Sequence, residues 1–233
     1  MNDRIVCLIP AKGASKRIPK KNIIDLAGKP LILYTIEAAI ESRMFDAIYV
    51  STEDEEVERI SKIDKIKIHR REEKLAVDPA TIEDVALNFI YDLEKKGEKY
   101  EILCLLLPTS PLRTSDDIKN AFALFFKTKA DFLISVTELE TPSFKTLKEE
   151  NGILVPIFKD LFFKKRSELP KSYRNNGAVM ISKISELKKQ RTLFGQSLVG
   201  YKMPEERSVD IDNYIDLSLA NILIKEKNNH KEI

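Results

Sequence analysis

Apolar runs of strand length return along this chain with stretches of helical periodicity between them, and that alternation limits the available folds more than any single motif does. The runs at 5–10, 47–52, 66–69, 102–107 and 132–136 are bounded by polar turns, as expected of strands buried on both faces. Between them, Ile32, Ile36, Ala39 and Ile40 share one helical face, and Ile82, Ala86, Phe89, Ile90 and Leu93 share another. Strands and helices in turn predict an α/β fold with a mostly parallel central sheet flanked by helices, whose ligands bind beyond the carboxyl ends of the strands. The 233 residues suffice for one substantial core, so a single domain spanning 1–233 is expected.

The rhythm breaks between about 138 and 175. There "ETPSFKTLKEENGILVPIF" reads as short strands turning at Asn151-Gly152, and "KDLFFKKRSELPKSYR" mixes exposed aromatics with cations. This segment is read as an arm inserted into the domain, with Phe144 and Tyr173 as packing groups and an apolar surface suited to a dimer contact. The sheet pattern resumes in "GAVMIS" and "SLVGYKM", and a last helix is expected from near Asn213 with Leu219, Ile222 and Leu223 turned inward, ending in a polar, frayed tail, "KEKNNHKEI".

Lys and Arg total 39 and Asp and Glu 37, so a balance of +2 gives no reason to expect binding to nucleic acid or to an anionic membrane. The opening residues lack a signal-peptide pattern and no apolar run reaches membrane-spanning length, so a cytoplasmic protein is expected. Cys7 and Cys104 are read as two buried thiols in separate strands, and two histidines are too few for a histidine metal site.

Local charge is more telling than the total. "IPAKGASKRIPKKNI" follows the first strand and holds Lys12, Lys16, Arg17, Lys20 and Lys21 with no acid among them. Its place at a strand end, with Gly13 permitting close backbone approach, suits a triphosphate; a solvated basic loop is the other reading. Neither G-x-x-x-x-G-K-[ST] nor G-x-G-x-x-G occurs, which argues against a dinucleotide-binding or flavodoxin-like module. In "RSVDIDNY", Asp210 and Asp212 alternate across Ile211. In extended backbone they point the same way and can share a hard cation such as Mg²⁺; otherwise Asp212 caps the next helix and Asp210 is merely exposed. A cationic phosphate loop with a carboxylate metal site is what phosphoryl or nucleotidyl transfer requires.

Taken in order, "IPAKGASKRIPKKN", "LAGKPLILYTIEAA", "VSTEDEE", "LLPTSPLRT", "YRNNGAVMI" and "ERSVDID" resemble the cytidylyltransferases that activate sialic acids and related nine-carbon keto sugar acids. The resemblance runs to about residue 225. It implies a Rossmann-like nucleotidyltransferase fold, a homodimer, and Mg²⁺-dependent transfer of CMP from CTP to the sugar's anomeric hydroxyl with release of pyrophosphate. It further implies that Lys12, Gly13, Ala14, Ser15 and Lys21 hold the triphosphate, that Asn22, Arg71 and the Ala80 backbone recognise cytidine, and that Lys21, Asp210 and Asp212 carry the chemistry. Leu107, Thr109, Ser110, Lys145, Arg174 and Asn176 would face the sugar acid. By residue type alone Arg71 could equally be a surface cation. The chain departs from the family pattern at Lys12, where Arg is common, at Asn175, where many members have Pro, and at Leu107, where sialic-acid enzymes typically have Gln. The last change removes an amide from the sugar site and points to an acid other than N-acetylneuraminate, such as a legionaminic-type acid. Rivals are an enzyme for an eight-carbon keto sugar acid or a neutral sugar phosphate, and a catalytically idle nucleotide-binding protein of the same fold.

Overall fold

The computed structural model describes residues 3–229. In chain order the elements are β1 (Ile5–Pro10), β2 (Asp25–Leu26), β3 (Lys29–Pro30), α1 (Leu31–Ser42), β4 (Ala47–Thr52), α2 (Glu55–Ser61), β5 (Ile66–Arg70), α3 (Ile82–Lys95), β6 (Ile102–Leu105), α4 (Ser115–Thr128), β7 (Phe132–Glu138), β8 (Leu147–Glu150), β9 (Ile153–Pro156), α5 (Lys159–Phe162), β10 (Tyr173–Lys183), α6 (Ile184–Gln190), β11 (Leu198–Lys202) and α7 (Tyr214–Asn229). Seven strands form the main sheet in the order β11-β7-β10-β6-β1-β4-β5. All its pairings are parallel except those of β10, which runs antiparallel to β6 and β7.

Sequence dictates the layers. β1 and β4 are buried throughout, because helices cover both faces of a parallel sheet. On one side α1 sets Ile32, Ile36 and Ala39 against Cys7, Ile9 and Val50; on the other, α3 sets Ala86, Phe89, Ile90 and Leu93 against Leu8, Tyr49 and Leu103. Helices α3 and α4 each begin with a capping box, Thr81 with Asp84 and Thr114 with Asp117, which satisfies the free amides of a first turn. Cys7 and Cys104 are register partners on β1 and β6, fully buried and unpaired, and burial pushes both thiols up, which makes them inert packing groups.

Three expectations need correction. β5 is an edge strand with alternating exposure rather than one buried on both faces. The run at 102–107 is strand only to Leu105, after which the chain turns into the loop that carries Leu107 and Thr109. In α7 it is Ala220 and Ile224 that are buried, whereas Leu219 and Ile222 are exposed and Leu223 only half-buried. Asn213 and Asp216 fix this rotation by capping the helix together: Asn213 Oδ1 accepts from Ile215 and Asp216, and Asp216 Oδ2 accepts from Asp212 and Asn213. Helix continues through Lys225–Asn229 in the segment expected to fray, and 230–233 lie outside the described residues.

Within 138–175, β8 and β9 form a hairpin whose turn residues, Asn151 and Gly152, both have positive φ (53° and 79°), as a two-residue turn of matching twist requires. Phe144 and Phe158 meet edge to face at 5.3 Å at its base. Ile153, Leu154 and Phe163 are exposed.

Candidate active site

The carboxyl ends of β1, β5 and β6 open onto a cleft of about 580 Å³, within the usual size of a small-ligand site. Lys12, Ser15, Lys21, Asn22, Arg71, Ala80, Leu107, Thr109, Asp210 and Asp212 all line it, so most of the residues selected by sequence meet there from five separate segments. Gly13 and Ala14 lie in the same loop without lining the cleft.

Backbone geometry builds the phosphate loop. Ala11 N–H bonds to Ser51 O at 2.9 Å and carries β1 past the sheet edge, Asn22 donates its amide to Lys12 O at 2.8 Å, and the buried Ile18 pins the loop to the core formed with Leu26, Leu31 and Ile211. At Gly13 a side chain is excluded, since a Cβ there would stand 2.3 Å from Asp54 Oδ2.

The loop's cations, which lack acids of their own, take them from other segments. Lys16 pairs with Asp78 at 2.6 Å, Lys20 with Glu56, and Arg17 with Asp212 at 3.3 Å; the first two pairs are largely exposed and add little stability. Lys21 is the best placed. Its side chain is 15% exposed, and Nζ donates to Ile211 O at 2.7 Å and to Asp212 Oδ1 at 3.1 Å. A contact across 190 positions of sequence thus joins the two motifs.

Asp210 and Asp212 flank Ile211, whose N–H bonds to Thr109 O at 2.8 Å. Capping of α7 falls to Asn213 and Asp216, so the Asp212 side chain is left to the cleft. The buried Oδ1 of Asp210 has no hydrogen-bond partner. Burial, reinforced by Asp212 and Asp216, holds this carboxyl above the usual range, against Thr109 and Lys21, which pull it down. An orphaned carboxylate oxygen beside a second carboxylate is a donor set for a hard divalent cation such as Mg²⁺. No group of three or more His, Cys, Asp and Glu side chains is arranged to hold a metal among the described residues, so such an ion would take its other ligands from phosphate and water, as Mg²⁺ commonly does.

Other sequence-selected residues stand elsewhere. Arg174 lies on the far side of Asp210 and lines a second cavity of about 590 Å³ that shares this aspartate; its Nη2 donates to Ser208 O at 3.1 Å. Ser110 and Asn176 are fully buried, Ser110 donating to Asn176 O at 2.9 Å. The Asn176 side chain bonds Ser135 at 2.6 Å and Ser208 at 2.9 Å, and Val179 N–H bonds Ser135 Oγ at 2.7 Å. These bonds staple a bulge where the β10 register with β7 shifts, so Ser110 and Asn176 brace the wall rather than face the cleft. Lys145 sits in the arm, its ammonium bonded to the carbonyls of Phe162 and Lys164.

A family model described as cytidylyltransferase matches residues 6–229. The chain belongs to the cytidylyltransferase family. It is 35% identical to the pseudaminic acid cytidylyltransferase of Campylobacter jejuni subsp. jejuni serotype O:2, over 94% of this chain and 96% of that one. It is also 37% identical to the N-acylneuraminate cytidylyltransferase of Streptococcus agalactiae serotype V, over 91% of this chain but 51% of that longer protein. In fold, this cytidylyltransferase is similar to a CMP:2-keto-3-deoxy-manno-octonic acid synthetase complexed with CTP (TM-score 0.69, 14% identity, 96% and 99% of the two chains). A 4-diphosphocytidyl-2C-methyl-D-erythritol synthase is similar to the same extent (TM-score 0.71, 12% identity, 96% and 99%).

Two contributors to this cytidylyltransferase's site carried no signal that sequence reading could use. Arg113, inside the quoted "PLR", is buried beneath the cleft and holds the carbonyls of Leu107 and Ala178. Glu53 bonds both Gly13 and Arg71. Only their place in matched motifs marked either segment.

The raised Asp210 carboxyl has a consequence for stability. A carboxyl whose folded pKa exceeds its unfolded value weakens the fold once pH rises through the folded value. Asp210→Asn should therefore raise the Tm of the metal-free protein at pH 7, and the gain should vanish as pH falls through the ordinary carboxylate range near ~4. Calorimetric scans across pH check this; a lower Tm for the variant at neutral pH would contradict it.

Proposed function

We propose that this cytidylyltransferase transfers CMP from CTP to the anomeric hydroxyl of a nine-carbon keto sugar acid. The observation that carries the reading is the buried, unpartnered Asp210 oxygen at the junction of a cationic cleft and a second cavity bearing Arg174. The names of the relatives, which act on pseudaminic and N-acylneuraminic acids, support the substrate class. The eight-carbon acid synthetase, at 14% identity, shares the fold alone.

In this reading the triphosphate lies along the Lys12–Lys21 loop, with Lys21 against its phosphates and Asn22, Arg71 and the Ala80 backbone toward the base. The sugar's anomeric oxygen attacks the α-phosphorus, the bond to the β-phosphate oxygen breaks, and pyrophosphate leaves with the electron pair while the hydroxyl proton passes to solvent. Mg²⁺ held by Asp210 and Asp212 would supply charge neutralisation at the phosphates. Lys21, tethered to the backbone of Ile211, meets the negative charge that develops on the departing pyrophosphate. Arg174 can clamp the sugar's carboxylate with its fork of donors. The exposed apolar residues of the arm fit a homodimer, and a CTP-consuming reaction of this kind belongs in the cytoplasm.

The test is pyrophosphate release from CTP and Mg²⁺ across N-acetylneuraminate, legionaminate and pseudaminate derivatives, and an eight-carbon analogue. Release with a nine-carbon acid is expected; turnover of the eight-carbon acid alone, or of none despite CTP binding, would overturn the reading.

Position 107 is the proposed specificity determinant. Leu107 lines the cleft, and its Cδ1 would stand 2.9 Å from a Cβ placed on Gly177, so an apolar wall stands where an amide could bond a polar sugar substituent. Leu107→Gln should shift relative kcat/KM toward N-acetylneuraminate by about tenfold, the scale of one hydrogen bond; an unchanged ratio would remove position 107 from this role.

A further inference from the structure

Glu53 lies outside the sheet-end residues that line the cleft, yet two of the cleft's parts converge on it. It follows the last residue of β4, where Thr52 O accepts from Arg71 N–H at 3.2 Å and brings the end of β5 alongside. One carboxylate oxygen, Oε1, accepts the Gly13 N–H at 2.7 Å. The other, Oε2, accepts from Arg71 Nε at 2.9 Å. The Arg71 and Glu53 side chains are 3% and 14% exposed, and Arg71 Nη2 stands 2.8 Å from Oε2 but has no aligned hydrogen-bond partner. Arg71 lines the cleft, so this one carboxylate holds a buried guanidinium against the cleft wall by an ion pair as well as a hydrogen bond.

We propose that Glu53 is a positioning residue for the nucleotide, locking the phosphate loop and the Arg71 guanidinium into one unit. The proposal rests on the CTP reading above. Glu53 touches no substrate; it acts through its two partners. With Asn22 holding the Lys12 carbonyl and Glu53 holding the next N–H, both sides of the Lys12–Gly13 link are fixed. Asp54 lies so close to Gly13 that the loop cannot move outward on that side without breaking the α2 cap, where Asp54 accepts from Glu56 and Val57. The same carboxylate holds both Nε and Nη2 of Arg71 and so fixes the orientation of its guanidinium. Preorganised donors of this kind bind without reorganisation, whereas a free loop and a free arginine must be ordered at each binding event.

An amide at position 53 has one acceptor oxygen and one donor nitrogen, so it can serve Gly13 or Arg71 but not both. In purified full-length Glu53→Gln, the Kd for CTP with Mg²⁺ by calorimetric titration and the KM for CTP should each rise at least tenfold, on the order of one charge-assisted hydrogen bond lost. The kcat and the KM for the sugar acid should stay within threefold, a split that general loosening of the fold would not produce. Should the unpaired Arg71 keep that variant from folding, the Arg71→Gln background removes the buried cation. There, adding Glu53→Gln should change the CTP Kd by less than threefold, because its amide oxygen can still accept from Gly13. Unaltered CTP affinity in Glu53→Gln, a fall in kcat with both KM values unchanged, or a full tenfold further loss in the double variant would each overturn the proposal. Wild-type protein that binds no CTP would instead sink the functional reading beneath it.

Discussion

Lys21→Ala should lower kcat by about 10²–10³-fold while the protein remains folded. The magnitude is that of deleting one preorganised electrostatic donor, about 2.7–4 kcal/mol of transition-state stabilisation. Lys21 earns that expectation from its setting. Lys20 before it adopts a left-handed conformation (φ 51°, ψ 36°) that turns the chain into a single helical turn, Lys21–Ile23, and the ammonium then reaches the Ile211 carbonyl and Asp212. Alanine removes the ammonium proposed to meet the phosphates and the tether to the aspartate loop together. Lys21→Arg restores charge but places it on a longer, planar group, and should recover activity only in part. Circular dichroism with steady-state kinetics separates the outcomes: kcat within threefold of wild type in a folded Lys21→Ala would exclude the lysine from the chemistry.

Arg113→Ala should produce the largest loss of stability of any single change considered, about 3–5 kcal/mol, from a lost large side chain and stranded polar partners. Arg113 is 3% exposed and donates to Leu107 O at 3.2 and 3.3 Å, to Ala178 O at 2.8 Å and to Thr35 Oγ1 at 2.6 Å. Its Nε has no partner, and burial lowers its pKa to about 10, partly countered by the nearby cysteines and Asp117. The side chain therefore ties α1, the loop after β6 and β10 together from within. Arg113→Met would refill much of the space and should cost less, yet leave the same carbonyls bare. For a chain of this size the alanine change should depress Tm by roughly 10 °C, measurable by calorimetry; a fall below about 2 °C would mean that water or repacking replaces the guanidinium.

What the sequence made legible follows the strength of periodic signals. β1, β4, α1 and α3 announce themselves because most of their inward positions are apolar, and the phosphate loop and aspartate pair because their spacing implies chemistry. α7 misled: Leu219, Ile222 and Leu223 look like a core stripe, but the cap at Asn213 and Asp216 rotates the helix so that Ala220 and Ile224 pack instead. Arg113 and Glu53 escaped because a charged residue in a polar motif reads as solvated, and only long-range contacts reveal that each is buried between segments distant in sequence. Asn176 and Ser110 show the converse, polar residues of a matched motif whose hydrogen bonds are spent on a bulge.

The position of β10 bears on how the chain folds as it is made. β6 and β7 are consecutive strands of the main sheet, yet they do not touch; the slot between them is filled only by residues 173–183. A nascent chain that has extended through β7 has an unfilled gap at the centre of its sheet rather than at its margin, and the arm must be synthesised before the inserting strand arrives. Two open strand edges then face one another during translation, each a template for pairing with another chain. Synthesis of the chain from Tyr173 onward therefore closes the sheet and, through the aspartate loop, completes the cleft in the same event.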